Sequence, residues 1–74
     1  ELGEIEAALD NHPAVHACSV TVREDTPGVR YLAAYPVFRA DRFATAAQLR
    51  AHLRHTLPDS MIPSLYIPLT ELPR

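Results

Sequence analysis

Seventy-four residues allow one small domain, because typical domains run roughly 100 to 150 residues and so short a chain buries only about 60% of its unfolded surface. The composition is globular, 47% hydrophobic and 22% charged, and no apolar run approaches the roughly eighteen residues needed to span a bilayer, so membrane insertion is excluded. Nine acidic residues against seven basic ones give a net charge of -2, without the basic excess that a nucleic-acid backbone demands of its partners.

The single cysteine, Cys18, has no partner for an internal disulfide and no Cys-x-x-Cys spacing to hold zinc, which points to a reducing compartment. Glu1-Leu2-Gly3-Glu4 is acidic and lacks the positive region and apolar run of a secretory signal, so cytoplasm is the expected location. All seven basic residues are arginine. Any chemistry that needs a lysine amine must therefore come from outside this chain.

Leu2, Ile5 and Leu9 recur at helical spacing, with Glu4, Glu6 and Asp10 assigned to the opposite, solvated side. Asn11-His12-Pro13 stops this first helix near Asp10, since Pro13 donates no backbone hydrogen bond and pushes His12 out of the helical region. From Val15 the pattern alternates, Cys18, Val20 and Val22 on one side and Ala17, Ser19 and Thr21 on the other, which predicts a strand over 15–23. Glu24 to Gly28 reads as a polar turn, followed by a second strand from Tyr31 to Phe38, together a hairpin. Pro36 places that second strand at a sheet edge or a strand end.

After the charged linker Arg39 to Phe43, Thr45-Ala46-Ala47-Gln48 has the spacing of a capping box and opens a helix over 46–56 that Pro58 terminates. Ala46, Leu49, Leu53 and Leu57 face its core side, with Arg50, Arg54 and His55 outward. Beyond the loop 58–63, Leu65, Ile67 and Leu69 alternate as a third strand, again an edge because of Pro68. The order helix, strand, strand, helix, strand describes a small two-layer α+β domain, a three-stranded sheet containing a β-hairpin with two helices packed on it. So short a core is expected to lean on a larger partner.

Few constellations suit chemistry. His12 and His16 stand four apart, but Pro13 between them forbids a shared helix face; His52 and His55 lack a carboxylate or thiol to complete a metal set and read as solvated. Ser19, Ser60 and Ser64 stand in no nucleophile elbow. Gly3 and Gly28 are the only glycines, so no phosphate-cradling loop can be written. Arg39, Arg42, Arg50 and Arg54 against Asp41 leave a local positive excess, either a solvated face or a docking face for an acidic partner.

Three segments in order carry a family resemblance: Glu1-Leu2-Gly3-Glu4-Ile5-Glu6, then Val22-Arg23-Glu24-Asp25 with Pro27-Gly28, then Leu57-Pro58-Asp59-Ser60-Met61-Ile62-Pro63. Together they resemble the C-terminal subdomain of a nonribosomal peptide synthetase adenylation domain. The first is similar to the end of that family's eighth core motif and the last to its ninth, Leu-Pro-x-Tyr-Met-Val/Ile-Pro, with about fifty residues between them.

The resemblance implies a parent enzyme that uses ATP and Mg2+ to convert an amino acid to its adenylate, then loads it onto the phosphopantetheine thiol of a peptidyl carrier protein. The subdomain would be a mobile lid over a large N-terminal adenylation subdomain, with an MbtH-type activator as a further partner. The family's catalytic lysine and hinge residue would lie beyond Arg74 and before Glu1, so residues 1–74 are expected to hold no catalytic, cofactor-binding or metal residue and to be inactive alone. Ser60 stands where the family has tyrosine. What transfers is structural: Leu2, Ile5 and Leu9 as the inner helix face, Pro58, Met61 and Pro63 as a turn that positions the segment after it, with Arg50 and Arg54 available for carrier docking. The competing reading is a non-catalytic module that binds a carrier protein or an MbtH-type activator. The substrate pocket of the family lies in the N-terminal subdomain, so the amino acid activated is not legible here.

Overall fold

The computed structural model describes residues 2–73. Helix α1 (Leu2–Asp10) is followed by β1 (Val15–Thr26), β2 (Val29–Phe38), α2 (Ala46–Arg54), a 3-10 turn (Asp59–Met61) and β3 (Leu65–Tyr66). The strands form one sheet in the order β1-β2-β3, antiparallel between β1 and β2 and parallel between β2 and β3. This is the expected α+β domain. Ile5 and Leu9 of α1, Leu49 and Leu53 of α2, and Val15, Cys18, Val20 and Ala34 of the sheet bury one another in a single core. The opposite sheet face carries Tyr31, Ala33, Tyr35 and Val37, and Leu69 and Pro73 approach Ser19, Thr21 and Tyr35 across a small recess there.

The hairpin is longer than the polar composition of Glu24 to Gly28 suggests. Strand pairing runs out to Thr26 opposite Val29, which leaves a two-residue turn. Pro27 supplies the fixed φ of the first central position, and Gly28, at φ 83°, supplies the positive φ of a type II turn. Side chains hold this exposed tip: Glu24 accepts from the Gly28 N–H at 3.1 Å and from the Arg30 side chain at 3.0 Å, and Asp25 accepts from Arg23 and Tyr31. These bonds keep both carboxyls below the usual carboxylate range, the Gly28 N–H first for Glu24 and the Tyr31 hydroxyl first for Asp25.

Of the two placements open to Pro36, the sheet edge is corrected, for it lies in the central strand, while the strand end fits, since β2 ends at Phe38. The Pro36 carbonyl accepts from the Leu69 N–H at 2.9 Å, so its missing donor faces the same β3 flank. Pairing there is limited to Leu65–Tyr66 and the single Val37–Leu69 bridge, which makes the lost ladder bond tolerable. Helix α2 also ends earlier than expected, at Arg54, where the last turn tightens as His55 N–H reaches back to His52 O at 3.3 Å and Thr56 N–H to Leu53 O at 3.1 Å.

The capping box at the start of α2 is present in both directions. Thr45 Oγ1 accepts from the Gln48 N–H at 3.1 Å, and Gln48 Oε1 accepts from the Thr45 N–H at 2.8 Å. Because α2 contributes two fully buried leucines to the core, fraying at its start is transmitted to the whole domain. Thr45→Ala is expected to lower unfolding stability by about 1 kcal/mol, measured as a shift in the urea midpoint at unchanged m-value, whereas Thr45→Ser is expected to retain most of it.

Candidate functional site

The segment from Leu57 to Pro63 is built by its prolines. Pro58, in extended conformation at φ -70°, caps the 3-10 turn Asp59–Met61, and the turn closes with Met61 N–H to Pro58 O at 2.9 Å and Ile62 N–H to Asp59 O at 3.2 Å. Pro63 is fully buried, Leu57, Met61 and Ile62 pack against the core, and Ser60 is exposed. Ser64 N–H then bonds Leu32 O at 3.1 Å and Ile67 N–H bonds Ala34 O at 2.9 Å, which locks the following segment to β2. The direction in which the chain leaves this turn is therefore fixed by two prolines and a parallel ladder.

The opening segment forms α1, with Leu2 packed on the core and Ile5 buried; Glu1 lies outside the described residues. Gly3 and Glu4 are exposed, and Glu4 lines a cleft between α1 and α2 that also includes Leu57, so the two motif segments meet there. Glu6 does not sit on a solvated face as the helical pattern suggested. Its Oε2 accepts from the Val20 N–H at 2.8 Å on the outer edge of β1. At one residue past Ile5, position 6 lies at the border of the apolar stripe, where a carboxylate reaches a free edge amide that water would otherwise hold.

Asp10 is likewise engaged. Cys18 Sγ lies 3.5 Å from Asp10 Oδ1 and 3.4 Å from the Glu6 carbonyl, a thiol donating to two oxygens. Burial, then the neighbouring Asp10 and Glu6, push the Cys18 thiol up to about 12. It is a structural, unreactive cysteine.

Arg50 and Arg54, one turn apart on α2, line a shallow cleft with Asp59, Ile62, Pro63 and Ser64. Arg54 is exposed, while Arg50 is half-buried, its guanidinium carbon 5.6 Å from the centroid of the Tyr66 ring. The Tyr66 hydroxyl is buried without a hydrogen-bond partner among the described residues, and burial pushes it up to about 12 against the opposing influence of Arg50 and Arg54. Arg39 and Arg42 lie in the β2–α2 loop and do not line this cleft. The pairing of Arg50 with Tyr66 carries no sequence signal, because it joins side chains of α2 and β3 sixteen residues apart.

His52 corrects a further expectation. It is not solvated: its Nε2 lies 2.9 Å from the Ala8 carbonyl of α1, and its ring meets that of His12 edge-on at 5.0 Å and 79°. Among the described residues no group of three or more His, Cys, Asp or Glu side chains is placed to hold a metal ion.

Residues 4–74 match the model of the AMP-binding enzyme C-terminal domain. The chain belongs to that family. Over 73 residues, 99% of its length, it is 49% identical to a dimodular nonribosomal peptide synthase of Bacillus subtilis and 47% identical to tyrocidine synthase 3 of Brevibacillus parabrevis. It spans only 3% and 1% of those two proteins. Among solved structures, NpsA of Klebsiella oxytoca, in complex with 3-hydroxyanthranilyl-AMSN, superimposes over the whole chain with a TM-score of 0.86 at 31% identity, the chain covering 14% of it. This AMP-binding C-terminal domain is thus similar to small parts of much larger proteins.

The buried, proton-retaining Cys18 has a direct consequence. In the native domain at about pH 8 it is expected to resist alkylation by iodoacetamide, with labelling appearing only with global unfolding; rapid modification of the folded domain would contradict its assigned environment.

Proposed function

We propose that this domain is the mobile lid of an ATP-dependent, amino-acid-activating module of a nonribosomal peptide synthetase, alternating between adenylate formation and thioester loading of a carrier protein. The observation that carries the reading is the exit geometry of the Leu57–Pro63 turn: buried Pro63 and the parallel β2–β3 pairing hold the following segment in one direction. A lid that must deliver a distant residue to a reacting centre needs such a rigid lever. The 49% identity with a peptide synthase over the whole domain supports the same reading.

The division of labour follows from what the chain contains. It has no lysine to stabilise charge between a carboxylate and a phosphate, and the described residues offer no metal-holding group and no glycine-rich loop for a nucleotide. The described residues thus supply no donor set of their own suited to ATP or Mg2+. We assign both to the parent enzyme's large N-terminal adenylation subdomain, and the isolated chain is expected to be inactive. In the parent, the amino-acid carboxylate displaces pyrophosphate from ATP to give the aminoacyl adenylate; a carrier phosphopantetheine thiol then takes the acyl group and AMP leaves. The lid contributes orientation to the first step and access to the second.

Arg50 and Arg54 offer two cations one turn apart beside Ser64, a surface suited to an acidic carrier protein. No helix among the described residues is long and apolar enough to cross a membrane, and a cytoplasmic location, with an MbtH-type activator as an optional partner, fits the proposed role.

Two substitutions in the parent module separate the steps. Met61→Asp places a charge against the core beneath the turn and is expected to depress amino-acid-dependent ATP–pyrophosphate exchange and carrier loading together, by about tenfold or more. Reversing Arg50 and Arg54 to glutamate is expected to slow carrier loading several-fold at low salt and leave exchange intact. Unchanged rates for a folded Met61→Asp module would remove the lid assignment and leave a non-catalytic binding module; equal loading by the double variant would dismiss the docking face alone.

A further inference from the structure

We propose that His12 is a proton-sensitive latch for the junction of α1 and β1: its neutral ring holds the Ala14 N–H, and its protonated ring releases it. Three bonds make His12 the pivot of that junction. Its N–H donates to Leu9 O at 3.0 Å, its carbonyl accepts from the Val15 N–H at 3.0 Å, and its Nδ1 accepts from the Ala14 N–H at 3.1 Å. Accepting through Nδ1 requires the neutral ring with its proton on Nε2. Protonation puts a second N–H on the ring, aimed at the Ala14 N–H, so that two donors face each other. Ala14 and Val15 are 4% and 0% exposed, and water has no ready access to replace the lost acceptor.

The surroundings oppose the cation. From α2, His52 meets the ring edge-on at 5.0 Å, and His55 lines the same cleft as His52. From α1, Glu4 lines that cleft while Asp10 is turned to the Cys18 thiol, and the β1 histidine, His16, is exposed. Among the described residues neither ring is in an ion pair, so no carboxylate compensates a charge on His12. Burial first and His52 second hold His12 below the usual imidazole value of 6.5. The sign follows: the contribution of neutral His12 is complete above that ordinary value and is lost as pH falls through the lower, folded-state value. His52 is the fixed strut, because an Nε2–H bond to Ala8 O at 2.9 Å is available to a neutral or a protonated ring alike.

The latch does not depend on the adenylating reading, and its test does not use activity. Hydrogen–deuterium exchange of the segment 11–15 is followed from about pH 7.5 down to about pH 4, corrected for intrinsic rates, in the polypeptide that carries the domain. Acidification is expected to cost the native protein about tenfold more protection at Ala14 and Val15 than it costs His12→Asn, whose side-chain oxygen accepts at every pH. His52→Gln is expected to keep the acid-induced loss and move it to higher pH. If His12→Asn does not fold, nitrogen-15 shifts of the native His12 ring decide: the Nε2–H tautomer at neutral pH supports the latch. Equal acid loss in native protein and His12→Asn, or an Nδ1–H tautomer, would overturn it.

Discussion

Everything this domain presents depends on one packing constraint: two nine-residue helices must bury Ile5, Leu9, Leu49 and Leu53 against a single face of a three-stranded sheet. Helices this short are not stable by propensity, so each survives through tertiary contact and through its ends. Polar side chains accordingly tie the helices down at their ends and to their neighbours. Thr45 and Gln48 close the start of α2, His52 bridges to the Ala8 carbonyl near the end of α1, and Glu6 ties α1 to the edge of β1. Remove the shared core and none of these bonds has a fixed partner.

The same constraint holds the Leu57–Pro63 turn, the lever of the proposed lid. Leu57, Met61 and Ile62 rest on the core that α1 and α2 enclose, and Pro63 is fully buried, so the turn moves only if the domain moves. A rigid body with a defined exit direction suits a lid that rotates as a unit, whereas a flexible tail would not hold a catalytic group within the tolerance that chemistry requires. The Arg50–Arg54 cleft lies against this same turn, bordered by Asp59 and Pro63. A partner docked there would contact the lever itself.

Legibility in the sequence followed the range of the interaction. The capping box of Thr45 and Gln48 and the helix stop at Pro13 are local, and the structure repeats them; the alternation of β1 holds for Cys18 and Val20, but Val22 is exposed and a register shift between Val15 and Ala17 brings Val15 into the core as well. Pro36 was misleading about the sheet edge because its cost depends on which neighbour faces its missing N–H, a matter of sheet order rather than of strand sequence. Glu6 and His52 each bond to an element distant in the chain, across 14 and 44 residues, and helical periodicity assigns both to solvent. The motif segments were legible as segments; their meeting across the α1–α2 cleft, through Glu4 and Leu57, was not.

The central claim is that the domain serves amino-acid activation within a larger polypeptide. The most direct test measures ATP–pyrophosphate exchange over a panel of amino acids, for the polypeptide that carries residues 1–74 and for the same polypeptide with those residues deleted. The account predicts exchange that depends on one or a few amino acids and collapses on deletion. Exchange with no amino acid, or exchange that survives the deletion undiminished, would contradict it.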